Sequence, residues 1–174
     1  MFSASTTPLA PSQELLEKNP LAKIPALVLE DGEALFDSHV IVDHLDALAG
    51  GGRIIPREGE DRRRALRLEA LADGVLDAGI LVHYERRFRA PDKVDEAWCA
   101  AQAAKVRSAL ASLDRDVARL DLPLDLGTIS LGCALGWLEF RDPIPGLRAQ
   151  HPALFAWWDR LRARASFSAT EPRS

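Results

Sequence analysis

The sequence predicts a mostly α-helical chain in two parts, a short one built around a single β-hairpin and a longer one made only of helices. Three observations carry this. Ala (27) and Leu (26) supply 53 of the 174 residues, a balance that favours helix over sheet. The strand pattern is confined to Ile24–Phe36, IPALVLEDGEALF, where two apolar runs flank Asp31-Gly32, a strong hairpin-turn signal. Charge changes abruptly after Gly50-Gly51-Gly52: residues 1–52 carry 2 basic and 8 acidic side chains, residues 53–174 carry 20 and 18. With Pro56 and Gly59 following, that glycine run reads as a linker, giving domains at 1–52 and 53–174.

Taken in order, Pro11–Lys18 is a weak helix, and strands follow near 26–30 and 33–36. Asp37-Ser38 then caps a helix carrying Val40, Ile41, Asp43, His44, Leu45 and Leu48. Beyond the linker, Leu68, Ala72, Val75, Gly79 and Val82 recur every three or four residues, predicting an amphipathic helix over about 60–88. Val106, Leu110, Leu113, Val117 and Leu120 repeat the rhythm over about 92–120. Ile129–Phe140 (ISLGCALGWLEF) is apolar nearly all round, the mark of a central helix, with Gly132 and Gly136 admitting close neighbours. Asp125 and Thr128 form a capping pair at its start. A last helix opens at Pro152 and carries Leu154, Trp157, Trp158 and Leu161.

Composition excludes several functions. A net charge of −4 offers no basic surface for nucleic acid. The longest uncharged stretches, Met1–Gln13 and Leu126–Leu138, are 13 residues each, short of the ~20 needed to span a bilayer. Lys18 is the first basic residue and no apolar block precedes it, so no secretory signal is expected and the chain reads as cytoplasmic. Cys99 and Cys133 are far apart, with neither disulfide-framework nor metal-ligand spacing, and both read as core cysteines. No metal is expected.

Two groups of residues resemble a known family. Asn19-Pro-Leu-Ala-Lys-Ile-Pro-Ala-Leu27 with Leu35-Phe-Asp-Ser-His-Val-Ile41 is similar to the glutathione-binding half of cytosolic glutathione S-transferases of bacterial type. Leu126–Arg141, His151-Pro-Ala-Leu-Phe-Ala-Trp157 and Thr170-Glu-Pro172 look like that family's helical domain. The resemblance implies a thioredoxin-like α/β domain followed by an all-α C-terminal domain. The family's first domain begins with a strand, a helix and a second strand, its catalytic Tyr, Ser or Cys just after the first. No room for them exists before Pro11, so the expectation is a truncated domain of helix, hairpin and helix with no catalytic residue assigned. The strand at Ala26–Glu30 would then be an exposed edge.

Glutathione presents an ammonium and a carboxylate on its γ-glutamyl end. Asp37 suits the first, and the Ser38 hydroxyl with the free amides of a helix start suits the second. Read alone, the same pair is an ordinary helix cap. The resemblance further implies a cis Ile24–Pro25 bond whose Ile24 backbone meets the cysteinyl part of the ligand, and a contact from Lys23, which is otherwise a solvated turn lysine. Candidates for holding a second substrate lie on the helix over 60–88: Asp73, Asp77, His83, Tyr84 and Arg87, each of which also fits a plain wet helix face. Trp137, Trp157 and Trp158 read as core.

Two functions follow. The first is an enzyme that conjugates glutathione, as substrate and with no cofactor, to a small apolar electrophile. The second is a non-catalytic glutathione-binding or scaffold module of the same fold. Either is expected as a homodimer, as the family's members are.

Overall fold

A computed structural model of the chain describes residues 7–121 and 123–172. Two compact units, Met1–Arg57 and Glu58–Ser174, make up the fold. In the first, α1 (Gln13–Lys18) is capped by the Ser12 hydroxyl, which accepts the Leu15 amide. Strands β1 (Leu27–Val28) and β2 (Ala34–Leu35) pair antiparallel, Leu27 opposite Leu35 and Val28 opposite Ala34. The turn between them needs Gly32 at φ 94°, and Asp31 steadies it by accepting the Glu33 amide. Helix α2 (Ser38–Leu48) follows, with Asp37 as its cap.

The glycine run is tethered rather than slack. Asp46, buried on α2, accepts the amides of Gly52 (2.7 Å), Arg53 (3.0 Å) and Ile54 (2.7 Å). Arg57 reaches back to the carbonyls of Gly50 and Gly51. Gly50, Gly51 and Gly52 all sit at positive φ, a conformation that side-chain-bearing residues disfavour. These bonds tie the loop to the first unit, and the boundary between units falls after Arg57, five residues past the glycines.

The second unit is helical throughout: α3 (Gly59–Phe88), α4 (Glu96–Arg115), α5 (Leu126–Arg141), α6 (Leu147–Gln150), α7 (Pro152–Arg162) and α8 (Ala165–Ser168). The helix expected over 92–120 is shorter at both ends. Pro91–Lys93 forms a 3-10 turn, Asp95 caps α4 through the Trp98 amide, and a second 3-10 turn, Val117–Leu120, follows Asp116. The short helices α6 and α8 carry too few residues for a periodicity to show.

Helix α5 is the hub. Leu131, Ala134, Leu135 and Leu138 are fully or almost fully buried, in one cluster with Val75 and Val82 of α3, Val106 and Leu110 of α4, and Leu154 and Phe155 of α7. Its start is the expected capping box, extended: Asp125 accepts the Thr128 amide, Thr128 Oγ1 accepts the Asp125 amide, and Arg64 of α3 donates to Asp125 Oδ2 at 3.0 Å. Glycines set the spacing on both sides. Gly132 and Gly136 face Leu161, Phe167 and Trp158, while Gly127 faces Ala65 and Leu68 and Gly79 faces Trp137. One expectation fails here: Cys133 is exposed, because the stripe through Cys133 and Phe140 is left open while the opposite face is covered. Cys99, by contrast, is buried in the core.

Candidate functional site

The first unit positions its polar groups through the hairpin. Asn19, almost fully buried, receives the Leu21 amide on its Oδ1 and donates from Nδ2 to the Lys23 carbonyl at 2.8 Å. This folds residues 19–23 into a fixed turn and delivers Ile24 and Pro25 to the head of β1. The Ile24–Pro25 bond is cis, as is Phe36–Asp37, and Ile24 is 74% exposed. The ladder pairs Leu27 with Leu35 and Val28 with Ala34, so Pro25 and Asp37 each lie two residues beyond the same end of the hairpin. The hairpin therefore brings the Ile24–Pro25 segment to the same end of the sheet as Asp37 and Ser38.

Asp37 Oδ1 accepts the His39 amide at 3.1 Å, so the capping role is real. Its Oδ2 makes no hydrogen bond among the described residues, and both Asp37 and Ser38 are exposed. The start of α2 thus presents an uncommitted carboxylate oxygen, a hydroxyl and free helix amides together. Lys23 is exposed on the adjoining turn. Asn19 and Asp46 were not singled out from sequence, and both act one step behind the surface. Asp46 is held below the ordinary carboxylate range, chiefly by the Ile54 amide and then by those of Gly52 and Arg53, against the opposing effect of burial.

In the second unit, three of the five candidates on α3 come together and two do not. His83 and Tyr84 have ring centroids 5.9 Å apart, Tyr84 and Phe88 5.3 Å, and the Arg87 guanidinium lies 5.9 Å from the Phe88 ring. From α5, Trp137 meets His83 edge-on at 6.1 Å, and Arg141 stands over Phe140 at 4.6 Å. Burial pushes the His83 imidazole below its ordinary pKa, and the charges of Arg141 and Arg87 push it further. Asp73 and Asp77 are exposed but sit roughly 15 and 9 Å back along the helix at 1.5 Å per residue, outside this cluster. Asp73 is engaged with a partner of its own. Trp157 and Trp158 are buried, as expected, but Trp137 is only partly so.

Trp137 and Phe140 also line a cleft of about 490 Å³ with Cys133, Gly136, Trp158 and Phe167. Burial pushes the Cys133 thiol up, away from the thiolate. Among the described residues no group of His, Cys, Asp and Glu could hold a metal ion, and no helix is long and apolar enough to cross a membrane.

A family model described as the N-terminal domain of glutathione S-transferases matches residues 2–48. Over 158 residues the chain is 36% identical to an uncharacterized GST-like protein of Escherichia coli K12, YibF, covering 88% of this chain and 77% of that one. A glutathione transferase family member from Pseudomonas fluorescens Pf-5, solved with bound glutathione, matches at a TM-score of 0.93 and 46% identity over 98% of this chain and 84% of that chain. A second structure from Pseudomonas fluorescens Pf-5, with bound S-(propanoic acid)-glutathione, matches at a TM-score of 0.84 and 48% identity, covering 90% and 80%.

Proposed function

The chain belongs to the glutathione S-transferase family, and from that premise we propose that it binds glutathione through its first unit and joins the thiol to a small electrophile with an apolar body, gripped by its second. The carrying observation is the start of α2, where Asp37 Oδ1 accepts the His39 amide, its Oδ2 makes no hydrogen bond among the described residues, and Ser38 is exposed beside it. There, Asp37 Oδ2 takes the ligand's ammonium. The Ser38 hydroxyl and the first amides of α2 take its α-carboxylate, aided by the helix dipole. The exposed Ile24 backbone pairs with the cysteinyl part, and Lys23 contributes a cation beside it. Relatives solved with glutathione and with a sulfur-substituted glutathione support both the ligand and the reacting atom.

Glutathione is consumed as substrate and no cofactor takes part. The reaction forms a carbon–sulfur bond: the thiol loses its proton to solvent, the thiolate attacks the electrophilic carbon, and that carbon either releases its leaving group with the bonding pair or passes a C=C pair to its neighbour, which takes a solvent proton. We place the protein in the cytoplasm, where two free cysteines and a thiol substrate stay reduced.

Calorimetry with glutathione, paired with a conjugation assay on the same chain, tests this reading. A charge-assisted hydrogen bond is worth ~1.5–3 kcal/mol, so Asp37→Ala and Ser38→Ala should each weaken binding about tenfold or more. An unchanged constant in both variants overturns the assignment. Binding without turnover of any electrophile selects the non-catalytic module instead.

A further inference from the structure

Most basic side chains at the far end of α3 already have partners. Arg86 pairs with Glu96 at 3.0 Å and Arg89 with Glu85 at 2.6 Å. Arg87 is different. Neither it nor Arg141, in the last turn of α5, forms an ion pair among the described residues, and both are exposed. What they touch is aromatic: Phe88 under Arg87, Phe140 under Arg141. Between the two helices stand His83 and Trp137, edge to face, and Trp137 and Phe140 continue into the wall of the 490 Å³ cleft. Two guanidiniums without ion pairs among the described residues and one part-buried imidazole, beside flat apolar rings, form an arrangement suited to one kind of molecule. It is one with a flat apolar body and an anionic end.

Resting on the reading above, we propose that the co-substrate carries a carboxylate or comparable anion, held over His83 by Arg87 and Arg141, with its apolar body against Trp137 and Phe140. Both guanidinium charges act on His83, and the aromatic rings beneath them hold them flat for forked hydrogen bonding to an anion there. Such an anion would offset the charges of Arg141 and Arg87, which add to burial in lowering the His83 pKa, so occupancy and His83 protonation are coupled. For an unsaturated ketone bearing such an acid, conjugation balances as an addition. The thiolate sulfur bonds to the β-carbon, the C=C electron pair passes to the α-carbon, and a solvent proton is taken up there, with no leaving group.

The competing account is that Arg87 and Arg141 only neutralise the negative ends of α3 and α5. The two differ in ligand preference. The probes are trans-4-(4-carboxyphenyl)-3-buten-2-one, its ring carboxamide, and for equilibrium work the saturated, unreactive 4-(4-carboxyphenyl)butan-2-one. On the full chain the acids should bind about tenfold or more tighter than the amide, by tryptophan fluorescence, with the gap narrowing as salt rises. The saturated acid should move the His83 titration upward by NMR. Arg87→Met and Arg141→Met should each erase most of the preference while leaving the glutathione constant unchanged, and Arg87→Lys should keep part of it. Equal binding of acid and amide by the wild-type chain overturns the proposal, whatever the variants do. So does a preference that survives both Met substitutions. Failure of the glutathione site would show separately, as acid binding that persists while Asp37→Ala leaves glutathione affinity untouched.

Discussion

Asp114 on α4 accepts the amide of Leu154 in the first turn of α7, at 2.8 Å and across 40 residues of sequence. It supplies the cap that α7 lacks locally, since the residue at the capping position, His151, makes no side-chain cap bond. One carboxylate thus both satisfies a helix start and fastens α4 to α7.

Asp114→Ala should therefore cost about 1–2 kcal/mol, the upper part of the range for a lost cap, because the stranded Leu154 amide has few alternatives. Urea unfolding monitored by circular dichroism measures it, and a change under a few tenths of a kcal/mol would mean that solvent satisfies the amide equally well. Asp114→Asn should recover most of the loss.

His151 gives stability a pH dependence. It is buried, its Nε2 has no hydrogen-bond partner among the described residues, and burial sets its pKa below the ordinary 6.5; Arg107 lowers it further and Asp114 opposes. Below about pH 6.5 the unfolded chain binds a proton that the folded one refuses, so the stabilisation present above that pH is lost as pH falls, at up to ~1.4 kcal/mol per unit. The difference in unfolding free energy between pH 7.5 and pH 5.5 should be smaller in His151→Leu than in wild type. Equal differences would show that the imidazole titrates in the fold as it does in water.

Close packing at Gly127 and Gly136 should respond unequally to an added methyl group. At Gly127 the new carbon would lie 2.6 Å from the Ala65 carbonyl oxygen, a backbone atom that cannot turn aside; at Gly136 it would lie 3.1 Å from the edge of the Trp158 ring. Gly127→Ala should cost about 1–3 kcal/mol or more, and Gly136→Ala clearly less. Thermal melts of the two variants side by side decide it, and a reversed order would place the tight contact elsewhere.

A homodimer is the expected solution state. In the second unit Leu71, Leu81 and Trp98 are 36%, 41% and 46% exposed, large apolar side chains that a second copy of the chain would cover. Sedimentation at micromolar concentration should give twice the chain mass of 19.1 kDa. A clean monomer contradicts it.

The sequence was most legible where one physical rule acts alone. Asp31-Gly32 marks a turn because only such residues tolerate it, and α3, α5 and α7 announce themselves by periodicity or by their first-turn residues. Asp37 could be read twice over, as cap and as ligand contact; the fold shows the cap, made by Oδ1 alone, and leaves Oδ2 without a hydrogen bond among the described residues. What the sequence hid was pairing across distance. Asp46 looks like any polar helix residue until the amides of 52–54 are seen to converge on it, and Asn19 until its side chain closes the turn. Arg141 could not be tied to His83 because 58 positions separate them, and only the packing of α3 against α5, seen in the His83–Trp137 contact, brings its charge to bear there. Cys133 was misplaced because a wholly apolar helix was assumed to be wholly covered.

That misplacement has a practical consequence. The chain has two thiols, Cys99 sealed in the core and Cys133 on the cleft wall, where the residue reaches the surface while its sulfur is desolvated enough to raise the thiol pKa. A slow alkylating fluorophore applied above neutral pH would therefore mark a single position, within the same cleft lined by Trp137 and Trp158. Energy transfer from those indoles to the dye would turn the protein into its own sensor of whatever enters there.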